Sequence, residues 1–230
     1  VYKNKDSDTI DWESIYVKSN KNIKNTVLNE TINNGLVKDI ELFLGNQNWY
    51  DTRGVPYKRG YILYGPPGTG KTSIIKCIAN KLNRHLIQIP LNKIQNEEDF
   101  YKAYFESTYS KKNCDNTIDC NNKIIVFEDV DCMTDLVLDR ENKKENTNDT
   151  SDNMVVLESI VDIVSAKDAN TKGSFKKDNT CKLTLSFILN LLDGLDENHG
   201  RILIITSNYY DKIDKALIRP GRIDLQVEMK

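Results

Sequence analysis

The sequence predicts an α/β fold built on a five-stranded, mostly parallel sheet with helices on both faces. Short apolar runs alternate along the chain with stretches of helical periodicity, and this alternation is typical of parallel strands joined by helical crossovers. Continuous apolar runs also indicate strands buried on both faces. The predicted strands are Tyr61–Tyr64, Leu86–Ile89, Ile124–Phe127, Ile202–Thr206 and Leu225–Val227.

Helical periodicity accompanies these strands along the chain. It predicts helices over about 29–45, 71–82, 97–110 and 183–195. The first of them should end at Gly45, because glycine commonly terminates a helix. Residues 46–60 contain two glycines and a proline and predict a turn-rich connection.

The chain divides by composition into two parts. Residues 1–25 form a polar N-terminal extension, and residues 26–230 form one large domain. Within that domain we predict that the segment 133–181 is a flexible insertion, because most of it is rich in Asn, Lys, Asp and Thr. Apolar residues in the middle of the insertion predict a short helix over Met154–Ser165.

Composition narrows the classes of partner and compartment. A formal net charge of −2 over 230 residues gives no global basic field for nucleic acid, so we expect no nucleic-acid partner. The five cysteines lack C-x-x-C spacing and only two histidines accompany them, which argues against a zinc site and for an intracellular, reducing compartment. The sequence contains no run of eighteen apolar residues, so it predicts no membrane span within this chain. Whether an anchor precedes Val1 is left open.

A phosphate-binding loop follows the first predicted strand. The pattern G-x-x-x-x-G-K-[ST] is matched in full by Gly65, Pro66, Pro67, Gly68, Thr69, Gly70, Lys71 and Thr72, with Ser73 next in the predicted helix. Backbone N–H groups of such a loop bind phosphate oxygens, and the helix N-terminus adds partial positive charge. We expect Lys71 to reach the β- and γ-phosphates and Thr72 to be a ligand of Mg²⁺. The predicted ligands are therefore ATP and Mg²⁺.

An acidic segment follows the third predicted strand, where Phe127 is succeeded by Glu128, Asp129, Val130 and Asp131. Two carboxylates at a strand end suit a magnesium-dependent nucleotide site. One of them would hold the metal, and the other would orient and deprotonate the attacking water.

A third group of polar residues lies late in the chain. Asn208 ends an apolar strand, where its amide could contact a water molecule or the γ-phosphate. Arg219 and Arg222 flank a tight Pro-Gly turn, and two guanidinium groups on one turn can bind phosphate charge.

Together these motifs resemble the AAA family of ATPases, and they occur in the family's order over about residues 26–230. The resemblance implies a P-loop NTPase fold whose small helical lid would follow Lys230. It implies a homo-oligomeric ring in which Arg219 and Arg222 act on the neighbour's nucleotide. It assigns Asn208 to the sensor that positions the lytic water, Glu128 to the magnesium side and Asp129 to catalysis.

A narrower resemblance is to the mitochondrial AAA chaperone of cytochrome bc complex assembly and its plant and viral relatives. It is carried by Trp49-Tyr50, by residues 53–65, by the order Glu128-Asp129 and by residues 183–195. This resemblance implies that ATP hydrolysis is coupled to remodelling or translocation of a client protein, and it points to the mitochondrial inner membrane. In this order the catalytic position is taken by Asp129 and not by a glutamate. Aspartate is one methylene shorter than glutamate, so the attacking water must lie closer to Asp129 or the backbone must shift.

Two other functions remain open at this level. The Glu-Asp order fits a nucleotide-gated assembly scaffold with little hydrolysis, and a nucleic-acid-handling AAA motor is a further alternative. Threading of an unfolded chain is not supported, because no glycine follows Phe100, Tyr101, Tyr104 and Phe105 within residues 91–110. Core packing is the favoured interpretation of those aromatic residues.

Overall fold

The computed structural model describes residues 2–3, 10–12, 33–94, 96–111, 114–133, 182–194 and 199–230. Near the N-terminus, strands β1 (Tyr2–Lys3) and β2 (Ile10–Asp11) pair antiparallel. A π-helical turn (Asn33–Val37) leads into helix α1 (Lys38–Gly45). The first predicted helix therefore ends at Gly45 as expected.

The remaining elements alternate between helix and strand. In chain order they are α2 (Gln47–Arg53), β3 (Lys58–Tyr64), α3 (Lys71–Leu82), β4 (His85–Gln88), α4 (Glu97–Phe105), β5 (Thr108–Lys111), β6 (Cys114–Thr117), β7 (Lys123–Phe127), α5 (Val130–Met133), α6 (Leu185–Asp193), β8 (Arg201–Ser207) and β9 (Leu225–Glu228), with 3₁₀ turns at Leu91–Lys93, Cys120–Asn122 and Tyr210–Lys212.

The central sheet has five strands in the order β4-β7-β8-β3-β9. Each neighbouring pair is parallel, which confirms the predicted α/β architecture. The prediction of burial on both faces was wrong for β4, because this strand lies at the edge of the sheet, where Leu86 and Gln88 are exposed and only Ile87 is buried. Because the strands are parallel, their carboxyl ends meet at one edge of the sheet. In this register Tyr64 lies beside Ser207, and Phe127 lies beside Ile205.

Helices cover both faces of the sheet. On one face α1 and α3 pack against the strands through residues such as Ile40, Ile74 and Ile78. On the other face α4 and α6 do so through residues such as Phe100 and Ile188. Burial of each such side chain stabilises the fold by about 1.5–3 kcal/mol.

The connection at 46–60 is more ordered than a run of turns, so that prediction was wrong in part. Helix α2 occupies its first half and ends where Gly54 adopts a left-handed φ of 62°. Aromatic packing explains the helix: Tyr57 stacks on Phe43 at 4.3 Å between ring centroids, and Tyr50 meets both rings edge-on. These contacts depend on tertiary structure and leave no periodic signal in so short a segment.

The predicted helix over 97–110 is too long. Helix α4 ends at Phe105, and β5 and β6 then form an antiparallel hairpin. The side chain of Glu106 explains the change of direction, because its Oε1 accepts the N–H groups of Ser107 at 3.0 Å and Thr108 at 2.8 Å. This local capping of backbone N–H groups competes with continuation of the helix.

The aromatic residues of α4 belong mainly to the core. Phe100 and Tyr104 are 0% and 1% exposed, whereas Tyr101 is 44% exposed. In the connection before α4, Leu91 and Ile94 are also buried. The core-packing interpretation of this segment is confirmed.

The predictions for most of the insertion lie outside the described residues. They include the helix over Met154–Ser165 and its polar flanks. Within the part of the chain that the structure describes, no helix has both the length and the apolar character needed to cross a bilayer.

Gly60 provides a test of how β3 is packed. A Cβ at this position would lie 1.8 Å from the carbonyl oxygen of Arg222, so Gly60→Ala should lower the free energy of unfolding by about 1–3 kcal/mol or more. Gly45→Ala is the matched control, because a Cβ there meets nothing within 4 Å and alanine favours the helix. Urea titrations of both variants measure the difference, and equal stability would contradict the close approach at Gly60.

Candidate nucleotide site

The phosphate-binding loop joins β3 to α3 at the carboxyl edge of the sheet. Three of its glycines have positive φ, namely 142° at Gly65, 85° at Gly68 and 92° at Gly70, a backbone region that other residues rarely occupy. At Gly65 a Cβ would also lie 2.1 Å from the carbonyl oxygen of Met229. The loop then ends on Lys71, the first residue of α3, so the N–H groups of that helix point towards the loop.

The ammonium group of Lys71 joins the loop to β8. Its Nζ donates to the carbonyl oxygens of Gly65 at 2.6 Å and Pro66 at 2.9 Å, and to Oδ1 of Asn208 at 2.8 Å. The lysine is 7% exposed. Three acceptors fill its three donors, which fixes the charge at the centre of the site.

The acidic segment at residues 128–131, which we call the acidic turn, lies beside this group at the end of β7. Oε2 of Glu128 accepts Nε2–H of Gln88 from the adjacent strand at 2.7 Å. Asp129 is exposed and has a φ of 47°, and its N–H donates to Oγ1 of Thr206 at 2.8 Å. Aspartate tolerates this left-handed conformation better than most residues, although it costs about 1 kcal/mol.

Two further contacts tie the strand ends together. Oδ1 of Asp131 accepts the N–H of Asn208 at 2.9 Å, and the carbonyl oxygen of Ser207 accepts the N–H of Gly65 at 3.2 Å. The loop, the acidic turn and the end of β8 thus form one connected group of hydrogen bonds.

The donor set fits Mg²⁺. Thr72 is exposed in the first turn of α3, and Glu128 is partly exposed directly after β7. Within the described ranges, no cluster of three or more His, Cys, Asp or Glu side chains could hold a metal ion. Protein sites usually hold Mg²⁺ through one or two side chains together with substrate phosphates and water.

The two arginines of the late motif have different environments. Arg222 donates from Nε at 2.8 Å and from Nη2 at 2.5 Å to Oδ2 of Asp193, and from Nη1 to the carbonyl oxygen of Ala216. Its side chain is 12% exposed, whereas Arg219 is exposed. The turn between them is tied to β3, where Asp224 accepts the N–H groups of Gly60 at 2.9 Å and Gly221 at 3.1 Å.

This arginine turn lies far from the phosphate-binding loop of the same chain. Gly60, which contacts the turn, precedes Gly65 by a strand length of roughly 16 Å at the usual rise per residue. The structure therefore brings Lys71, Asn208 and the acidic turn together, and it places Arg219 and Arg222 apart from them.

Sequence reasoning missed three residues of this group, namely Gln88, Thr206 in its contact with Asp129, and Asp131 in its contact with Asn208. Gln88 and Thr206 lie in predicted strands, and Asp131 lies in the acidic segment that follows Phe127. The available signal was that carboxyl ends of parallel strands meet at one edge. Which side chain contacts which backbone group depends on strand order and register, and no local sequence pattern records these.

Comparisons with known proteins agree with this fold. Residues 61–230 match the family model described as ATPase family associated with various cellular activities, or AAA. An AAA-ATPase of Arabidopsis thaliana is 32% identical over 97% of the chain and 41% of its own length. The Dictyostelium discoideum protein named "Probable mitochondrial chaperone BCS1-B" is 31% identical over 95% of the chain and 44% of its own length.

The fold and the loop define a P-loop NTPase of the α/β class. More specifically, the chain belongs to the AAA family of ATPases. The enzyme activity of that family is ATP hydrolysis. The chain spans less than half the length of the curated relatives named above.

The ion pair between Asp193 and Arg222 should make stability depend on pH. The hydrogen bond from Arg222 lowers the pKa of Asp193, and burial opposes this shift. A lowered folded-state pKa contributes stability above the unfolded pKa, near 4, and the contribution is lost as pH falls through the folded value. Asp193→Asn should therefore destabilise the chain at pH 7 by about 1 kcal/mol or less, since the carboxylate is half exposed, and the difference should shrink below pH ~4.

Urea titrations between pH 7 and pH 3 measure this difference. Asp211→Asn is the control, because Asp211 is an exposed residue of the 3₁₀ turn Tyr210–Lys212 and its replacement should change stability little at any pH. A difference between wild type and Asp193→Asn that stays constant over the whole range would contradict the ion pair.

Proposed function

We propose that this chain binds ATP with Mg²⁺ and hydrolyses it within a homo-oligomeric ring, and that hydrolysis drives remodelling or translocation of a client protein. The observation that carries the proposal is the contact between Nζ of Lys71 and Oδ1 of Asn208 at 2.8 Å, beside the acidic turn. An ammonium group, an amide and carboxylates around a phosphate-binding loop form a suitable set for phosphoryl transfer to water.

Nucleotide binding is the first step of the proposal. Phosphate oxygens would replace the carbonyl oxygens of Gly65 and Pro66 as acceptors for Lys71, and loop N–H groups would donate to the remaining oxygens. Thr72 and Glu128 are the residues that would hold Mg²⁺. When bound, this ion neutralises charge on the β- and γ-phosphate oxygens.

Hydrolysis is the second step. Asp129 is exposed at the end of the acidic turn, where its carboxylate would orient the attacking water and accept its proton. Asn208 would hold the same water or the γ-phosphate through its side-chain amide. Its Oδ1 already contacts Lys71, so it lies on the phosphate side of the sheet edge.

Ring formation is the third part. The arginine turn lies roughly 16 Å along β3 from the loop of its own chain, and a neighbouring chain could receive it. Arg219 is the exposed member of the turn, so we propose it as the residue that contacts the neighbour's γ-phosphate. Arg222 would take part after leaving Asp193, or would hold the turn in place.

The client is proposed to be a protein. The name of the Dictyostelium relative describes a mitochondrial chaperone, which supports a chaperone-like role and a mitochondrial location, with the inner membrane as the more specific proposal. A net charge of −2 also favours a protein client over nucleic acid.

Replacement of Lys71 tests the nucleotide site. Lys71→Ala should weaken ATP binding by about 100-fold, because it removes the charge that faces the phosphates. Lys76→Ala is the matched control, since it makes the same change of charge on the same helix. Fluorescent-nucleotide titration measures both variants. Equal affinity of Lys71→Ala and wild type would contradict the placement of the loop.

Mixing of two inactive variants tests action between chains. Arg219→Ala and Asp129→Asn should each bind ATP and hydrolyse little of it. In a mixed ring, an Arg219→Ala chain keeps its Asp129 and can receive Arg219 from an Asp129→Asn neighbour. An equal mixture should therefore regain activity at roughly a quarter of its interfaces.

Steady-state phosphate release from the mixture, compared with each variant alone, is the measurement. Size-exclusion chromatography confirms that the mixture assembles as the wild type does. Assembled mixtures with no more activity than the two separate variants would contradict action in trans. Wild-type hydrolysis by Asp129→Asn alone would instead contradict the assignment of the catalytic aspartate.

A further inference from the structure

Two hydrogen bonds cross between the acidic turn and the end of β8 in opposite directions. Oγ1 of Thr206 accepts the N–H of Asp129 at 2.8 Å. Oδ1 of Asp131 accepts the N–H of Asn208 at 2.9 Å. Each segment thus supplies one side chain that binds a backbone N–H of the other segment, and we call this pair of bonds the clasp.

The clasp acts where the backbone is least free. Asp129 is one of the non-glycine residues with positive φ, at 47°, and such conformations persist only when the surroundings fix them. Thr206 is 1% exposed and lies within β8, so its hydroxyl is a fixed acceptor. The N–H of Asp129 is therefore held by a rigid strand, and this contact sets the direction in which the Asp129 side chain leaves the turn.

The second bond of the clasp acts on Asn208. Its backbone N–H is held by Asp131, and its side chain contacts Nζ of Lys71 at 2.8 Å. The two residues proposed to contact the attacking water thus have their backbones fixed by the same pair of bonds. Loss of either bond would allow the distance between their side chains to vary.

We infer that Thr206 and Asp131 are positioning residues for hydrolysis, which act by fixing the backbones of Asp129 and Asn208. The inference rests on the proposed function, in which Asp129 accepts the proton of the attacking water.

Thr206 permits a pair of closely matched substitutions. Thr206→Val keeps the shape of the buried side chain but removes the acceptor, whereas Thr206→Ser keeps the hydroxyl. Thr206→Val should lower kcat about 10- to 100-fold, since small displacements of catalytic groups have effects of that size. KM for ATP should stay within about twofold in both variants, and Thr206→Ser should keep most of the wild-type kcat.

Asp131 gives an independent test at a partly exposed position. Asp131→Ala removes the acceptor for the N–H of Asn208, and Asp131→Asn keeps an amide oxygen at the same place. We expect the alanine variant to lose kcat without a change in ATP affinity, and the asparagine variant to be closer to wild type. If Thr206→Val does not fold, the two Asp131 variants test the inference on their own.

The measurements are steady-state hydrolysis and fluorescent-nucleotide binding by the full chain, with Asp129→Asn in parallel. Wild-type kcat in Thr206→Val and Asp131→Ala, together with an inactive Asp129→Asn, would overturn the clasp and leave the proposed function intact. Equal losses in the valine and serine variants, or a rise in KM alone, would also overturn it. Undiminished hydrolysis by Asp129→Asn would overturn the proposed function and the clasp with it.

Discussion

The buried ammonium group of Lys71 is the constraint on which the nucleotide site depends. A charge that is 7% exposed is costly unless it is fully hydrogen-bonded, and here two loop carbonyls and the amide of Asn208 provide that compensation. The three acceptors come from two parts of the chain, so the end of β3 must lie beside the end of β8. The parallel register of Tyr64 with Ser207 meets this condition.

Local patterns in the sequence were sufficient for the sheet and the loop. The three inner strands contain continuous apolar runs, the two edge strands are shorter runs interrupted by Gln88 and Gln226, and the loop motif is contiguous, so neither prediction needed tertiary information. Helix α2 and the β5–β6 hairpin were missed because they depend on contacts that the periodicity of their own residues does not record: the packing of Tyr50 against Phe43 and Tyr57, and the capping of Ser107 and Thr108 by Glu106.

The predicted site shows the same division. Lys71, Glu128, Asp129 and Asn208 were predicted from motifs, and the structure brings Lys71 and Asn208 into contact. The hydrogen-bond partners of these residues can be identified only when the order of the strands is known. Gln88 contacts Glu128 because β4 is next to β7, and Thr206 contacts Asp129 because β7 is next to β8. Residue type alone could not distinguish these contacts from ordinary solvated polar groups at strand ends.

The opposite edge of the sheet has charges of a different kind. Nζ of Lys123 donates to the carbonyl oxygen of Glu106 at 2.5 Å, and Nζ of Lys58 donates to that of Leu192 at 2.9 Å. These carbonyls lie at the C-terminal ends of α4 and α6, where cations are favourable, and burial lowers the pKa of Lys123. Cations at the amino edge thus stabilise helix ends, whereas Lys71 lies at the carboxyl edge, in the proposed nucleotide site. Strand β3 joins the two regions, because it carries the phosphate-binding loop at one end and holds the arginine turn through Gly60 near the other.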